Sequence, residues 1–298
     1  GVMGTIGVLI GDEVTALENT TPASYEVQKH LRRMADAGCE YCVMEASSIG
    51  LKDQRVAGIP FEVGVFTNFS EDHIGGVEHK DMQEYLESKA KLFSMCKTGV
   101  VNLDDDNVEG ILKGHTCKVK TYGFGQAAQL RGADCRHLTR PGFLGIAFEV
   151  AGELAFTAEV GIPGRFNAYN ALAAIACCHV LGIPVEAMKQ GVSRVKVKGR
   201  VEPVPVPGNY TLLLDYAHNA VSMENLLVTL REYEPKRLIC MFGAGGNRPK
   251  VRRYEMGEMS GRLADLSVLT ADNSWFENVL DIIEDIKTGI HKTPGKYV

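Results

Sequence analysis

Hydrophobic and polar residues alternate along the chain with two periods, which predict helices and strands in turn. In residues 24–37, Val27, Leu31 and Met34 recur at helical spacing, so an amphipathic helix is expected there. Another helix is expected over residues 81–96. Short apolar runs that predict buried strands cover residues 41–44, 61–67 and 100–103. Strands that alternate with helices indicate α/β structure with a mainly parallel sheet.

The pattern changes between residues 118 and 160. Short alternating segments there, such as residues 145–150, predict a small antiparallel sheet. Two further helices are expected over residues 166–181 and 184–191. The basic stretch at 195–200 lacks helical periodicity and contains a glycine. We therefore place a domain boundary after residue 200, which gives domains at 1–200 and 201–298.

A second α/β series follows this boundary and predicts a Rossmann-like domain. Its expected strands cover residues 211–214, 238–242 and 266–269, and its expected helices cover 222–233, 252–263 and 280–290. Residues 295–298 are expected to begin another strand. Because the chain starts with Gly1 rather than Met and stops as a strand begins, we expect a fragment with a truncated second domain.

Composition and charge exclude several classes of protein. Of the 298 residues, 45% are hydrophobic and 23% are charged, as in ordinary globular domains. The net charge of −5 argues against a general nucleic-acid binder. No apolar run approaches the roughly 18–20 residues of a membrane span. Eight cysteines are scattered along the chain, several of them in apolar runs, which indicates the reducing cytoplasm.

Polar residues follow the predicted strands where each strand ends. Ligands of open α/β sheets bind outside the carboxyl ends of the strands, so these exits predict a site. The residues at the exits include Glu45, Asn68, His73, Asp104, Asp215 and the glycine-rich run that begins at Gly243. The glycine-rich run lacks the full spacing of a dinucleotide-binding loop, and a tight turn explains it equally well.

Lys89 is unusual because it completes the apolar stripe that Tyr85 and Leu86 begin on the predicted helix 81–96. A lysine on such a stripe must extend to solvent, pair with an acid or be modified. A structural lysine and a functional one both stay open at this point. Carboxylate and imidazole groups suit a hard divalent cation, so Glu45 and His73 together favour a Mg²⁺ site.

A series of short motifs in order resembles the Mur ligase family, and most closely its MurE type. The motifs are Asn19-Thr20-Thr21-Pro22, Met44-Glu45-Ala46-Ser47-Ser48, Arg55-Val56, residues 67–73, residues 85–89, residues 166–170, Gly199-Arg200-Val201-Glu202 with residues 214–218, and Asp272-Asn273. The resemblance covers essentially the whole chain. It implies a central ATPase domain followed by the C-terminal Mur ligase domain.

The resemblance also implies a reaction in peptidoglycan biosynthesis. A ligase of this type uses ATP and Mg²⁺ to add a diamino acid, meso-diaminopimelate or L-lysine, to UDP-N-acetylmuramoyl-L-alanyl-D-glutamate. The amide forms through an acyl phosphate. The implied partners are therefore the UDP-linked dipeptide and a free diamino acid, with no nucleic acid and no membrane.

The resemblance assigns roles to residues of this sequence by their place in the motifs. Lys89, His73 and Glu45 are implied to be catalytic and to hold the metal, with Lys89 carbamylated. The implied contacts to the UDP-linked dipeptide are Thr20, Thr21, Ser47 and Arg55. The implied contacts to ATP are Asn68, Asn170, Arg200 and Asp215. The implied contacts to the amino acid are Asp272, Asn273 and Trp275.

Two departures from the family pattern bear on function. The family's phosphate-binding loop is absent from residues 1–298, so we expect it upstream and expect the printed chain alone to be inactive. Ser274 and Trp275 stand where diaminopimelate-adding enzymes have Pro-Arg, and Trp cannot pair with a carboxylate as Arg does. The amino acid added is therefore left open between diaminopimelate and lysine.

Two other functions are compatible with much of the sequence. One is a related amide ligase of the folylpolyglutamate or cyanophycin synthetase type, against which Thr20, Thr21 and Arg55 argue. The other is a non-catalytic, Mur-ligase-like regulator that binds nucleotide. The joint presence of Glu45, His73 and Lys89 argues against the regulator.

Overall fold

The computed structural model describes residues 1–70, 74–75, 78–140 and 143–298, and the chain divides into two compact units. The first unit comprises Gly1–Ala133, Val150–Phe156 and Tyr169–Met188, and the second comprises Asp134–Glu149, Thr157–Ala168 and Lys189–Val298. The domain boundary after residue 200 stays a prediction. In the part of the chain that the model describes, no helix is both long and apolar enough to cross a membrane.

The first sheet is formed mainly by the start of the chain. Its strands are β1 (Val2–Gly4), β2 (Gly7–Ile10), β3 (Glu13–Thr15) and β4 (Val43–Met44), in the order β3-β2-β1-β4. Strand β1 pairs antiparallel with β2 and parallel with β4. Helix α1 (Ser24–Asp36), which confirms the predicted helix, buries Val27 and Met34 in one cluster with residues of β1 and β2. The pattern did not predict β1, β2 or β3.

A second, six-stranded sheet has the order β10-β9-β8-β7-β6-β5. Its strands are β5 (Phe61–Phe66), β6 (Cys96–Asn102), β7 (Lys118–Gly123), β8 (Leu130–Arg140), β9 (Phe143–Gly152) and β10 (Phe156–Val160). Strands β5, β6 and β7 are parallel, and β8 pairs parallel with β7 at its first residues. The prediction of antiparallel strands from residue 118 onwards is therefore wrong for β7, which is parallel to both of its neighbours. In β7 only Lys118 is exposed, and Tyr122 and Gly123 are buried. A short alternating run of residues does not fix the direction of a strand.

The helix predicted over residues 81–96 ends earlier than expected. Helix α3 (Met82–Ala90) begins at Asp81, whose side chain accepts a hydrogen bond from the backbone N–H of Glu84. A 3₁₀ turn (Lys91–Ser94) follows, and β6 begins directly after it. The apolar residues at the end of the predicted helix belong to this turn and strand, where Phe93 and Cys96 are buried in the core beneath the sheet.

The remaining helices of this part of the chain are shorter or confirm the pattern. They are α2 (Ser48–Lys52), α4 (Val108–Ile111), α5 (Arg165–Val180) and α6 (Val185–Arg194). Helices α5 and α6 confirm the two predicted helices, although α6 ends three residues beyond its predicted end.

The second unit confirms the predicted α/β series to within two residues at each boundary. Its elements are β11 (Glu202–Val204), β12 (Leu212–Leu214), α7 (Ala220–Arg231), β13 (Ile239–Phe242), α8 (Lys250–Leu263), β14 (Leu266–Leu269) and α9 (Val279–Ile290). Strands β13 and β14 are parallel, whereas β12 pairs antiparallel with β11, which was not predicted. In place of the strand predicted to start at residues 295–298, the structure has an isolated parallel bridge between Tyr297 and Ser267 of β14, whose backbone bonds to Lys296 and Val298.

Helices α8 and α9 approach closely because glycines stand where they cross. A side chain on Gly257 would collide with the backbone oxygen of Ile286, and one on Gly289 would collide with that of Tyr254. The backbones of the two helices therefore touch without intervening side chains.

We expect Gly257→Ala to lower the free energy of unfolding by about 1–3 kcal/mol, because the added methyl group overpacks this crossing. The matched control is Gly191→Ala in α6, where an added Cβ would meet no atom within 4 Å. For the control we expect a rise of about 0.4–1 kcal/mol in the free energy of unfolding, because alanine reduces the conformational entropy of the unfolded chain. Urea unfolding of the two variants measures both values, and equal effects would contradict the close crossing.

Candidate functional site

Glu45 lies directly after β4, and its carboxylate is held by Thr5, which follows the neighbouring strand β1. The backbone N–H of Thr5 donates to Oε1 at 3.1 Å, and its hydroxyl donates to Oε2 at 2.7 Å. The hydroxyl of Thr20 lies 3.2 Å from that of Thr5. Thr5 was not predicted. The neighbouring Gly4 leaves room for this contact, since any side chain at that position would run into the Glu45 carboxylate.

Thr21 connects the other predicted substrate residues to Glu45. Its side chain is fully buried, and its hydroxyl donates to the backbone oxygen of Glu45 and accepts from the N–H of Ser47, both at 2.8 Å. Arg55 donates to the backbone oxygen of Thr21 at 3.0 Å. The structure thus brings the predicted residues together, and we call the group the Glu45 cluster: Thr5, Thr20, Thr21, Glu45, Ser47 and Arg55.

Ser47 and Arg55 lie at the two ends of the short segment that contains α2. The Ser47 hydroxyl caps the helix by accepting from the N–H of Gly50 at 3.0 Å. The Arg55 guanidinium also pairs with Asp53 at 2.9 Å and stays about a quarter exposed. The Glu45 cluster therefore offers one carboxylate, one guanidinium and several hydroxyls on a partly exposed surface, which suits a polar, anionic ligand.

The donors around Glu45 also suit a hard metal ion. Its carboxylate and the hydroxyls of Thr5 and Thr20 are oxygen donors of the kind that Mg²⁺ takes. Among the described residues, no three His, Cys, Asp or Glu side chains converge as a metal-holding group. His73, the predicted metal ligand, lies outside the described residues. The fit to Mg²⁺ thus rests on the chemistry of the oxygen donors at Glu45.

Lys89 lies on α3 and is half-buried, not buried as its stripe predicted. The fully buried residues of this helix are Tyr85 and Ser88. The Lys89 ammonium lies 4.9 Å from the centroid of the Tyr85 ring, a cation–π distance. The Tyr85 ring in turn lies 4.8 Å from that of Phe69, the residue after Asn68. Two aromatic rings therefore connect Lys89 to the strand exit that carries Asn68.

The exit after β5 is held in place by the last residue of β6 and by a residue that follows β6. The side chain of Asn102 donates to the backbone oxygen of Thr67 at 2.8 Å, and a carboxylate oxygen of Asp105 accepts from the N–H of Phe69 at 2.8 Å. Asn68 itself is exposed, and its side chain lies 3.4 Å from the Thr67 hydroxyl. The two neighbouring parallel strands thus present Asn68 to solvent at their common carboxyl edge.

Helices α2 and α3 are tied together, which connects the Glu45 cluster to the helix of Lys89. Lys52 donates to Glu84 at 3.1 Å, and the buried His79 ring lies 2.9 Å from the Ser48 hydroxyl and 5.1 Å from the Tyr85 ring centroid. The pKa of Glu84 is lowered, first by the backbone N–H of Lys80 and then by Lys52. Glu84 is therefore ionised at neutral pH and keeps the ion pair between the helices.

Asn170, a predicted ATP contact, lies exposed on α5 beside an anchored tyrosine. The Tyr169 hydroxyl donates to Asp104 at 3.0 Å, and its ring lies 4.7 Å from that of Phe124. Asp104 also accepts from the N–H of Gly125 at 3.0 Å. Asp104 therefore fixes α5 at the exits of β6 and β7 and, with it, the direction of Asn170.

In the second unit the structure brings Arg200 and Asp215 together. The Asp215 carboxylate accepts from the backbone N–H groups of Val201 and Ala217, both at 2.8 Å. The Arg200 guanidinium lies 5.9 Å from the ring of Tyr216. Asp215 thus joins the segment before β11 to the turn after β12.

Asp272, Asn273 and Trp275 lie in the loop between β14 and α9, which we call the 270–278 loop. Asp272 accepts from the N–H of Asn273 at 2.7 Å, and Trp275 is 60% exposed with a φ of 50°. The backbone oxygen of Asn273 accepts from the N–H of Gly246 at 2.9 Å. Gly246 belongs to the glycine-rich loop after β13. A side chain on Gly246 would collide with the backbone of Ser274. The glycine therefore allows the loop after β13 to approach the 270–278 loop closely.

Comparison with known proteins places these sites in a family context. Residues 1–178 match the model of the Mur ligase middle domain, and residues 199–297 match the model described as Mur ligase, glutamate ligase domain. The chain is 40% identical over 300 residues to a protein of Caldanaerobacter subterraneus named UDP-N-acetylmuramoyl-L-alanyl-D-glutamate--2,6-diaminopimelate ligase, covering 100% of this chain and 61% of that protein.

Further relatives carry the same name. A Clostridium perfringens protein is 38% identical over 96% of this chain and 59% of its own length. A solved structure of a ligase with this name matches with a TM-score of 0.80 and 29% identity, over 99% of this chain and 61% of the other. The chain thus spans about three-fifths of the length of the curated relatives that it matches.

We expect Thr21→Val to lower the free energy of unfolding by about 1–3 kcal/mol, because it leaves the buried backbone groups of Glu45 and Ser47 without their partner. Thr21→Ser keeps the hydroxyl and is the matched control. Urea unfolding of both variants measures the difference. A Val variant as stable as the Ser variant would contradict a structural role for this hydroxyl.

Proposed function

Because the chain belongs to the Mur ligase family, we propose that it is the ATP-using part of a ligase of MurE type. The proposed reaction joins a diamino acid, meso-diaminopimelate or L-lysine, to UDP-N-acetylmuramoyl-L-alanyl-D-glutamate in peptidoglycan biosynthesis. The observation that carries this proposal is the 40% identity, across the whole chain, to the ligase so named. The names of the relatives favour diaminopimelate.

The proposed chemistry has two steps. A carboxylate oxygen of the dipeptide attacks the γ-phosphorus of ATP, and the bond from this phosphorus to the bridging oxygen breaks. ADP leaves, and the dipeptide now carries an acyl phosphate. The amine of the incoming amino acid then attacks the carbonyl carbon, loses a proton and expels phosphate. Mg²⁺, when bound, neutralises negative charge on the phosphates. The residues of this chain bind and orient the two substrates.

In the first unit, the Glu45 cluster is the proposed binding site of the dipeptide and of Mg²⁺. Thr20, Ser47 and Arg55 have groups at a partly exposed surface and contact the UDP-linked dipeptide in this proposal. The Thr21 hydroxyl is occupied by two backbone groups, which supports a positioning role for it. The Glu45 carboxylate keeps lone pairs beyond its two bonds to Thr5 and supplies them to Mg²⁺, together with His73.

The proposed ATP contacts lie in both units, and each unit supports them separately. In the first, Asn68 and Asn170 are exposed on anchored backbone, as a base- or phosphate-binding amide requires. In the second, Asp215 is fixed by two N–H groups but retains lone pairs for a ribose hydroxyl. Arg200 is exposed and supplies a guanidinium for phosphate.

We propose that Lys89 acts as a carbamate. Its nitrogen, when neutral, attacks the carbon of CO₂ and releases a proton, and the half-buried cation becomes an anion that serves the metal site. The support for this proposal is the place of Lys89 in the motif at residues 85–89. The Tyr85 ring orients the unmodified ammonium on α3.

Two alternatives are less well supported. A ligase of the folylpolyglutamate or cyanophycin synthetase type would have no use for the dipeptide contacts that the Glu45 cluster gathers. A non-catalytic regulator would need nucleotide contacts but not Lys89. The cytoplasmic location that the scattered cysteines suggest stays a prediction.

The test is an assay of phosphate release and amide formation by the complete gene product. We expect both to require ATP, the UDP-linked dipeptide and either diaminopimelate or lysine. Nucleotide binding without amide formation would favour the regulator. Ligation of glutamate to a folate, in place of a diamino acid to the dipeptide, would favour the first alternative.

In the same protein, Lys89→Ala is expected to reduce turnover by at least about a hundredfold, because a charged group is lost from the transition state. Added acetate or formate should restore part of the turnover by replacing the carbamate. Lys91→Ala, on the exposed turn after the helix, is the matched control and should keep its activity. Loss of turnover without any rescue by these anions would contradict the carbamate.

Trp275→Arg is expected to shift selectivity towards diaminopimelate by about tenfold or more, since Arg pairs with the distal carboxylate that lysine lacks. Trp offers only an aromatic face, which attracts an ammonium. Competition between the two amino acids measures the ratio. Phe276→Arg adds the same charge at the next position, which is 90% exposed, and serves as the control. An unchanged ratio in the Trp275 variant would place this residue outside the amino-acid pocket.

A further inference from the structure

Arg253 on α8 is a buried cation shared by two carboxylates. Its side chain is 1% exposed. Its two terminal nitrogens donate to the two carboxylate oxygens of Glu277 at 2.8 and 2.7 Å, and one of them also donates to Asp285 at 2.9 Å. Removing one partner of such a buried pair leaves a charge uncompensated, so the arrangement fixes geometry strongly.

Glu277 belongs to the 270–278 loop, and its carboxylate also reaches the loop after β13. It accepts from the backbone N–H of Asn247, while Arg253 reaches the backbone oxygen of Gly245 at 3.4 Å. The bond from Gly246 to Asn273 lies alongside. Three contacts therefore fasten the loops that follow the parallel strands β13 and β14. The carboxyl ends of such strands are where α/β domains bind ligands.

The two carboxylates around Arg253 lie in different surroundings. Asp285 is part of α9, whose backbone is already ordered by its own hydrogen bonds. Glu277 stands in a loop, two residues after Trp275. Its backbone N–H donates to the oxygen of Ser274 at 3.0 Å, and its carboxylate makes the contacts to Arg253 and Asn247. The hydrogen bonds from Arg253 and then from the Asn247 N–H lower the pKa of Glu277 to about 2, so this partner is ionised at neutral pH.

We propose that Arg253 and Glu277 are a positioning pair that holds the 270–278 loop in the conformation that binds the incoming amino acid. The inference rests on the proposed function, since Asp272, Asn273 and Trp275 are the residues assigned to that amino acid. The pair touches no reacting atom. It acts through the loop, and it sets the affinity for the amino acid rather than for the nucleotide.

Two variants separate this role from general stability. Glu277→Gln removes the loop carboxylate and leaves Asp285 on the same guanidinium. Asp285→Asn removes the helix carboxylate and leaves the loop contact intact. In the complete gene product, we expect Glu277→Gln to raise KM for the diamino acid by about tenfold, the loss of roughly one charge-assisted hydrogen bond. KM for ATP should stay within about twofold, and Asp285→Asn should change neither value.

A second measurement does not depend on activity. Trp275 is the one tryptophan in the 298-residue chain, so its fluorescence reports directly on the 270–278 loop. In this chain we expect Glu277→Gln to increase acrylamide quenching of Trp275 and to lower its anisotropy, with Asp285→Asn close to the unaltered chain. Circular dichroism establishes the temperature range in which both variants are folded, and the comparison is made there.

The outcomes separate the positioning pair from the proposed function. Unchanged quenching and anisotropy in Glu277→Gln would overturn the pair, and so would equal changes in both variants. A rise in KM for ATP as large as that for the amino acid would overturn its specific role. If the unaltered gene product forms no amide with either amino acid, the proposed function fails, while the fluorescence of the loop still decides whether the pair holds it.

Discussion

In the first unit, the hydroxyl of Thr21 joins the backbone oxygen of Glu45 to the backbone N–H of Ser47 from a position with no solvent exposure. The backbone oxygen of the same threonine receives Arg55. One buried residue therefore sets the direction in which a carboxylate, a hydroxyl and a guanidinium face the surface. Because the Thr21 side chain is fully buried, losing one of its hydrogen bonds would leave a polar group without a partner, which makes the arrangement rigid.

In the second unit, polar groups near the surface are held in place by a buried ion pair. Two loops at the ends of parallel strands are joined by a backbone hydrogen bond and by a buried guanidinium that binds Glu277. The glycines of the loop after β13 permit this, because the backbone of Ser274 occupies the space that a side chain on Gly246 would need. The exposed polar groups of these loops are thus held in place by contacts beneath them.

Aromatic side chains have a comparable role around Lys89. The rings of Tyr85 and Phe69 connect a lysine on α3 to the exit of β5, and Asn102 and Asp105 hold that exit from the next strand. A lysine with a ring beneath it is restricted in direction while remaining half-exposed. This arrangement explains how a helix with an apolar stripe accommodates a cation, and it is compatible with the carbamate that we propose.

The sequence by itself determined the α/β class, most helices and strands, and the motifs that identify the family. These features depend on local periodicity and on short runs of residues, such as the helical stripe of α1 and the strand at residues 266–269. The resemblance in the order of motifs also assigned Thr20, Thr21, Ser47 and Arg55 to one ligand. Such signals are carried by residues close together in the chain, so no long-range contact is needed to detect them.

Only the tertiary structure decided the features that depend on contacts between distant segments. The end of α3 was set by the burial of Phe93 and Cys96 in the core, and the parallel direction of β7 by its pairing with β6. Thr5 was found only through its contact with Glu45, forty residues along the chain. Nothing in the local sequence distinguishes Arg253 from the other basic residues of α8, and only its contact with Glu277 shows that it is buried and paired. Hydrophobic periodicity shows which face of a helix or strand is apolar. The partner of a buried polar group comes from a distant segment, so it depends on the tertiary structure.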